Sequence, residues 1–226
     1  MVARPALYPQ VTFDTLQAQA QRRHLTILGG FHPSEDDQAP KGCKTLLLLG
    51  PDDPGFWPEF KTSTEWQDGA ADPMDRWSTR VIGAWATDIG ATALYPFGGA
   101  PFLPFFTWAK RTGRVHASPI MLLVHDTAGL MVSFRGALAL TQHIDLQTPP
   151  ANPCDTCDAK PCRTACPVGA LDGTGYDVPL CKSYLASDDG DSCMTAGCIS
   201  RRACPVSQAY PRDAEQSAYH MKKFKG

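Results

Sequence analysis

The chain has 226 residues, and its 21 basic and 23 acidic side chains leave a net charge of −2. This balance excludes the strongly basic surface of a nucleic-acid-binding domain or of a protein that binds acidic membranes. No apolar run approaches the roughly 20 residues that a membrane span needs, and residues 1–10 lack the apolar core of a secretion signal. We therefore expect a cytoplasmic protein with one domain of moderate size and a smaller module.

The first elements predicted along the chain are a helix and two strands. Residues 1–11 are expected to form an extended arm, and Thr12 is a suitable N-cap for a helix through about residue 23. Two short apolar runs follow at residues 25–31 and 44–50, each bounded by Gly, Pro or Asp. Such runs are typical of strands.

The clearest helix signal lies after residues 51–71, which are predicted to be loop-rich. Asp72 is placed to cap this helix, Pro73 suits its first position and Gly90 is a typical stop. The apolar positions recur at three- and four-residue steps: Met74, Trp77, Val81, Trp85 and Ile89. This stripe indicates a helix that faces the core, and a cofactor-binding face made of the two tryptophans is the alternative.

An aromatic segment, residues 94–119, has two interpretations. The residues Gly-Gly-Ala-Pro at 98–101 force a turn, and aromatic side chains crowd around it: Phe97, Phe102, Phe105, Phe106 and Trp108. The first interpretation is a packed loop and a short helix with basic residues near its end, where they favour the helix dipole. The second is the wall of a pocket for an anionic or flat redox cofactor, in which Arg114 or His116 binds a negative charge. The first is favoured, because a Gly-Gly pair alone is not a phosphate-binding loop.

A hairpin is predicted after the aromatic segment. Residues 119–125 and 130–134 are apolar runs separated by Asp, Thr, Ala and Gly, which suits a tight turn. A further apolar piece ends near Leu140, and a Pro-rich linker follows it. We therefore predict an α+β domain over residues 1–147, with a small, mainly antiparallel sheet and helices, and a separate module over residues 148–226.

The strongest signal in the chain is a cysteine-rich segment, residues 154–204, which holds eight of the nine cysteines. They form two sets of four, and each set ends in Cys-Pro: Cys154, Cys157, Cys162 and Cys166, then Cys181, Cys193, Cys198 and Cys204. Eight thiols in two such sets match the ligand count of two 4Fe-4S clusters. The sequence therefore predicts two four-iron clusters as cofactors.

The ligands of the two predicted clusters are expected to interleave. In two-cluster ferredoxins the Cys-Pro cysteine of each run ligates the other cluster. On that rule the first quartet is Cys154, Cys157, Cys162 and Cys204, and the second quartet is Cys166, Cys181, Cys193 and Cys198. Each Cys-Pro is also expected to start a short helix, over residues 168–171 and 206–210. A last helix is predicted from Asp213 as its cap through Phe224.

Other uses of the cysteines are weaker explanations. Two zinc sites of four cysteines each would need the same ligands, although zinc motifs rarely repeat a terminal Cys-Pro. Disulfides are disfavoured because nine is an odd number and the first ten residues lack the apolar core of a secretion signal. Cys43 lies apart from the other thiols, beside an apolar strand, and is predicted to be a small buried hydrophobic residue.

The cysteine-rich segment resembles the dicluster ferredoxin module of epoxyqueuosine reductases and of their relatives, the reductive dehalogenases. Besides the two Cys-Pro runs, Leu-Cys-Lys-Ser-Tyr-Leu at residues 180–185 is similar to the Cys-x-Ser-Tyr-Leu segment with which those reductases begin their second ligand set. Upstream, the predicted hairpin and the Tyr-Pro-Phe turn at residues 95–97 resemble the end of the reductases' cobalamin-binding domain. The resemblance implies a bacterial ferredoxin-like dicluster module that follows a distantly reductase-like domain.

One departure from those reductases concerns their catalytic acid. Where the queuosine enzymes carry Asp-Ser-Ala-Pro, with the Asp as proposed general acid, this chain has Gly-Gly-Ala-Pro at residues 98–101. Glycine has no side-chain proton to donate, so the general-acid Asp is not present at this position. The part of the chain before the module is also shorter than in the reductases.

These residues are compatible with three functions. The favoured one is an iron-sulfur electron-transfer protein that exchanges electrons with a redox partner protein. The alternative is a small-molecule reductase of the epoxyqueuosine reductase or dehalogenase type, with a corrinoid or flavin in a pocket lined by residues 95–116. The third is a module in which zinc or clusters only stabilise the fold.

Overall fold

The computed structural model describes residues 11–226, so the predicted arm lies almost wholly outside the described residues. The fold is α+β, with a small antiparallel sheet and helices, as the sequence predicts. Within residues 11–226, no helix combines the length and apolar character that crossing a membrane requires.

The main sheet has four strands in the order β1-β2-β6-β3, and every neighbouring pair is antiparallel. A separate ribbon pairs β4 with β5. In chain order the strands are β1 (Leu25–Phe31), β2 (Thr45–Pro51), β3 (Thr92–Leu94), β4 (Val115–Ala117), β5 (Leu123–His125) and β6 (Gly136–Leu140). The two strands predicted at residues 25–31 and 44–50 are confirmed within one residue.

Helices cover both faces of the sheet and form most of the carboxy-terminal part. In chain order they are α1 (Phe13–Gln21), α2 (Phe56–Thr62), α3 (Thr64–Gln67), α4 (Pro73–Ile89), α5 (Phe105–Arg111), α6 (Val178–Ala186), α7 (Asp191–Ala196), α8 (Ile199–Arg202), α9 (Pro205–Ala209) and α10 (Ala214–Lys225). The predicted helices that begin after Thr12, Asp72 and Asp213 are therefore present.

The centre of the sheet is β2, which is buried on both faces. Leu47 and Leu49 pack with α4 in one hydrophobic core, whereas Leu46 and Leu48 pack with α5 in another. Successive side chains of a strand point to opposite faces, so an uninterrupted run of leucines can serve both layers.

Helix α4 forms as predicted, with one difference at its start. Trp77 and Trp85 are 3% and 0% exposed in the core, which supports the packing interpretation of the stripe. Gly90 ends the helix in the left-handed conformation. The side chain of Asp72 makes no capping hydrogen bond. Its carboxylate lies 3.5 Å from Nζ of Lys223 on α10 instead.

The segment predicted to be loop-rich, residues 51–71, contains two helices that the sequence analysis missed, α2 and α3. Phe56, Trp57 and Phe60 are at most 1% exposed and stack on one another and on α4. The apolar positions of α2 span less than two helical turns, and acidic residues separate them from the apolar stripe of α4. The helical period is therefore hard to detect in the sequence.

The predicted hairpin is wrong in its second strand. Residues 123–125 pair with β4, and residues 130–134 form no strand. The backbone of Leu130 bonds elsewhere: its N–H donates to Oγ of Ser207 over 2.8 Å, and its carbonyl accepts from Arg201. These partners come from the cysteine-rich part of the chain. The apolar piece that ends near Leu140 is confirmed as β6.

Helix α10 joins the carboxy-terminal part to the first core. Asp213 caps it by accepting from the N–H of Glu215 over 2.7 Å. Nε1 of Trp57 donates to the Glu215 carboxylate over 3.0 Å, and the Tyr219 ring packs on the Trp57 ring. The two parts separated by the predicted linker therefore share packing through this helix.

Candidate metal centres

A first cavity, of about 180 Å³, is lined by Cys154, Cys157, Cys162 and Cys204. These are the four thiols of the predicted first quartet. Cys154 and Cys157 share a turn in which the N–H of Cys157 donates to the Cys154 carbonyl over 3.4 Å. Cys162 lies in a single 3-10 turn, and Cys204 directly precedes α9. A loop and a helix start thus bring thiols from both Cys-Pro runs to one place.

Apolar side chains close the first cavity. Val124 on β5 and Leu130 line it and are each 1% exposed. Burial, followed by the nearness of the Cys204, Cys162 and Cys157 thiols, raises the pKa of Cys154 to about 11. Four ionised thiols lining one cavity need a positive charge to balance them. A bound metal provides that charge, and the thiols release their protons when it binds.

A second cavity, of about 320 Å³, is lined by Cys166, Cys181, Cys193 and Cys198 together with other residues. These four thiols are the predicted second quartet. Cys181 lies on α6, Cys193 on α7 and Cys198 directly before α8, whereas Cys166 comes from the loop of the first run. As in the first cavity, the Cys-Pro cysteine joins the opposite set.

Tight local turns position the thiols of the second cavity. The Asp177 carboxylate caps α6 by accepting from the N–H of Leu180 over 2.9 Å. Gly197 has φ +90° and passes so close to α10 that an added Cβ would lie 2.7 Å from Cβ of Ser217. Only glycine fits this passage, and it allows Cys198 to return toward Cys193.

Tyr176 is a functional candidate that the sequence analysis missed. Its hydroxyl donates to Sγ of Cys181 over 3.4 Å. Burial raises the pKa of Cys181, whereas this hydrogen bond acts in the opposite direction. The five-residue spacing of Tyr176 and Cys181 gives no signal in the sequence. Tyr176 is brought close to Cys181 by an isolated β-bridge between Leu171 and Tyr176.

One predicted Cys-Pro helix is present and the other is not. Helix α9 begins at Pro205 as expected. Residues 168–171 do not form a helix. Gly169 takes φ +68°, which turns the chain, and Leu171 then pairs with Tyr176. The proline permits a helix start but does not require one.

All nine cysteines are free thiols. Within residues 11–226, no three His, Cys, Asp or Glu side chains are grouped as ligands of a single metal ion. In a four-iron cluster each cysteine ligand is bonded to a different iron. The four cysteine sulfurs therefore surround the cluster and do not converge on one point. Thiols arranged around a cavity suit that donor set.

The remaining cysteine lies away from both cavities. Cys43 is half-buried beside the core that contains Trp108, and its Sγ donates to the Thr45 carbonyl over 3.4 Å. Burial raises the pKa of its thiol. These contacts agree with the predicted structural role.

The two residues predicted to bind an anionic cofactor have local surroundings of their own. The Arg114 guanidinium forms a bidentate pair with Asp126, with distances of 2.6 and 3.0 Å. His116 lies on β4, and its Nε2 is buried without a hydrogen-bond partner. Phe102 and Phe106 point outward, with exposures of 70% and 54%. A cofactor at Arg114 and His116 stays a prediction.

The second cavity also extends to residues that no sequence pattern indicated. Ser133, Arg212 and His220 line it together with the second quartet, although they come from segments far apart in the chain. Their proximity depends on the long-range packing of α10, which residue spacing does not reveal. No protein-family model, curated protein or solved structure matches the chain.

Proposed function

We propose that this chain is an iron-sulfur electron-transfer protein with two 4Fe-4S clusters. The observation that carries the proposal is that each predicted quartet of thiols lines its own cavity. Cys154, Cys157, Cys162 and Cys204 would hold one cluster, and Cys166, Cys181, Cys193 and Cys198 would hold the other. Bound clusters would supply one-electron redox chemistry.

The side chains around the cavities suit this role. One hydrophobic cluster, which includes Ile120, Val124 and Leu130, contacts cysteines of both quartets: Cys154, Cys162, Cys166, Cys198 and Cys204. This packing holds the two sites close to each other and buries Cys162 and Cys204. Burial and hydrogen bonds to sulfur set cluster potentials, and Tyr176 provides such a bond at Cys181. A redox partner protein would exchange electrons with the clusters.

The test is the metal content and absorbance of anaerobically purified protein. We expect a brown sample with about eight irons and about eight sulfides per chain, which is two clusters of four. A colourless protein that holds two zinc ions would contradict the proposal. The same spectrum tests the reductase alternative, because a corrinoid or flavin would add its own absorption.

The electron carrier is preferred to that reductase for a structural reason. The reductase was predicted to use Arg114 at residues 95–116, and the charge of this side chain is already matched by Asp126. The resemblance to epoxyqueuosine reductases supports the cluster module specifically, since its motifs lie in residues 154–205.

A further inference from the structure

Buried polar atoms without partners concentrate at the second cavity. Within residues 11–226, five buried side-chain atoms lack a hydrogen-bond partner, and four of them belong to residues that line this cavity: Ser133 Oγ, Ser200 Oγ, Arg212 Nε and His220 Nε2. We name this part of the cavity, defined by Ser133, Ser200, Arg212 and His220, the polar chamber. Ser200 is fully buried, and the Arg212 side chain is 7% exposed.

Three arginine side chains lie around the polar chamber. Burial, followed by the charges of Arg212, Arg135 and Arg201, lowers the pKa of His220 to about 3. Arg212 pairs with Asp53 over 3.2 Å and Arg135 pairs with Asp75 over 3.3 Å.

The third arginine near the chamber lacks such a carboxylate. Arg201 bonds to the neutral Leu130 carbonyl, so three guanidinium groups face two carboxylates and, when ionised, the thiols of the second quartet. Burial lowers the pKa of Arg201, and the Cys198 thiolate acts in the opposite direction.

The unpaired atoms carry a cost that a ligand could remove. A buried donor or acceptor without a partner destabilises a protein by about 1–3 kcal/mol, so several in one place require an explanation. Hydroxyls can donate to a ligand oxygen, and Arg212 Nε can only donate. Apolar side chains complete the lining, including Val132, Met221 and Phe224. Hydrogen-bond donors, arginine side chains and apolar walls together suit a small organic molecule that carries an anionic group.

We propose that the polar chamber binds a small molecule through its phosphate or carboxylate group, beside the second quartet. The oxygens of that group would accept from the two serine hydroxyls and from Arg212 Nε. This site goes beyond electron transfer, because it gives the protein a small-molecule ligand next to one of its clusters.

The test is calorimetric titration of anaerobically purified protein with inorganic phosphate and, separately, with acetate. Chloride at the same ionic strength is the reference for non-specific binding. We expect saturable binding of at least one oxyanion, and the stronger of the two identifies the class of ligand group. No saturable binding of either anion would overturn the proposal.

The informative variant is the double change Ser133→Ala and Ser200→Ala. Neither hydroxyl has a partner in the protein, so removing both should leave the unfolding midpoint unchanged or raise it. Anion affinity should fall about tenfold or more, because two hydrogen bonds to a charged group are lost. Arg212→Lys keeps a cation beside Asp53, removes the Nε donor and should weaken binding as well.

The matched control is Thr195→Ala on α7. Its hydroxyl bonds to the Asp191 carbonyl of the same helix, so anion affinity should not change. If the serine variant alters the cluster potential while anion affinity stays the same, the hydroxyls serve the cluster and the proposal is wrong. Iron and sulfide analysis of the same samples tests the electron-transfer proposal separately.

Discussion

Cys204 and Cys154 lie at opposite ends of the cysteine-rich segment and line the same cavity. The thiols are close enough that Cys204 is, after burial, the largest contributor to the raised pKa of Cys154. A chain that filled its sites in sequence order would place Cys204 with Cys193 and Cys198. The fold instead exchanges the Cys-Pro cysteines between the two quartets.

Replacement of Cys204 by Ala should therefore remove the cluster held by the earlier cysteines. Iron should fall from about eight to about four per chain, and the retained signal should belong to the site of Cys193 and Cys198. Iron analysis with electron paramagnetic resonance of the reduced protein measures this. Cys43→Ala is the control and should keep all the iron, because Cys43 lies in a separate core. Loss of the second cluster in the Cys204 variant would contradict the exchanged assignment.

Tyr176→Phe should shift the potential of the second cluster without loss of iron. The hydroxyl donates to Sγ of Cys181, and a donor to sulfur favours the reduced, more negative cluster. A hydrogen bond of about 0.5–1.5 kcal/mol corresponds to about 20–60 mV for one electron, so the midpoint should become more negative by that amount. Anaerobic redox titration measures the shift.

A tyrosine on the same cavity provides the control for that titration. Tyr184 also lines the second cavity, but its hydroxyl donates to the Asp189 carbonyl over 2.6 Å. Tyr184→Phe should therefore leave the potential nearly unchanged. Equal shifts in the two variants would mean that the Tyr176 hydroxyl has no specific effect.

Arg114→Ala should destabilise the fold, whether or not a cofactor binds there. The Asp126 side chain is 6% exposed, and removal of Arg114 leaves its charge buried without its bidentate partner. Loss of one member of a buried pair costs about 3 kcal/mol, which should appear as a lower midpoint of thermal unfolding. The double variant Arg114→Ala with Asp126→Asn should recover part of this loss. An unchanged midpoint in the single variant would show that the pair contributes little.

The sequence could predict the quartets because the evidence for them is local. Cysteine spacing and the terminal Cys-Pro are short-range features, and a general rule for two-cluster ferredoxins supplies the exchange between runs. Strands β1 and β2 were predictable for the same reason, since each is a short apolar run bounded by turn residues. Helix α4 was predictable because its stripe extends over several turns.

The parts that could not be predicted depend on distant partners. The run at residues 130–134 has the composition of a strand, but the backbone of Leu130 is bonded by Ser207 and Arg201. No local pattern reveals that competition. The polar chamber likewise brings together Ser133, Ser200, Arg212 and His220, which meet only when α10 packs on the cysteine-rich segment. Site residues that lack a local motif remain hidden until the fold is known.

His220→Gln should make stability less dependent on pH in the acidic range. Burial among arginines lowers the folded-state pKa of His220 to about 3, whereas the unfolded value is about 6.5. Between these values the unfolded chain binds a proton that the folded chain does not, so wild-type stability falls as the pH falls below about 6.5. The loss from this residue is about 1.4 kcal/mol per pH unit.

The measurement is the free energy of unfolding of both proteins under anaerobic conditions. The pH values are about 7.5, 6.5 and 5.5, which lie one unit above, at and one unit below the unfolded-state pKa. Other carboxylates titrate in both proteins, so the difference between the two isolates His220. From pH 6.5 to 5.5 the variant should lose about 1 kcal/mol less than the wild type, and from pH 7.5 to 6.5 only about 0.4 kcal/mol less. Parallel curves over the whole range would show that His220 becomes protonated in the folded protein, and that the arginines around it do not exclude a further positive charge.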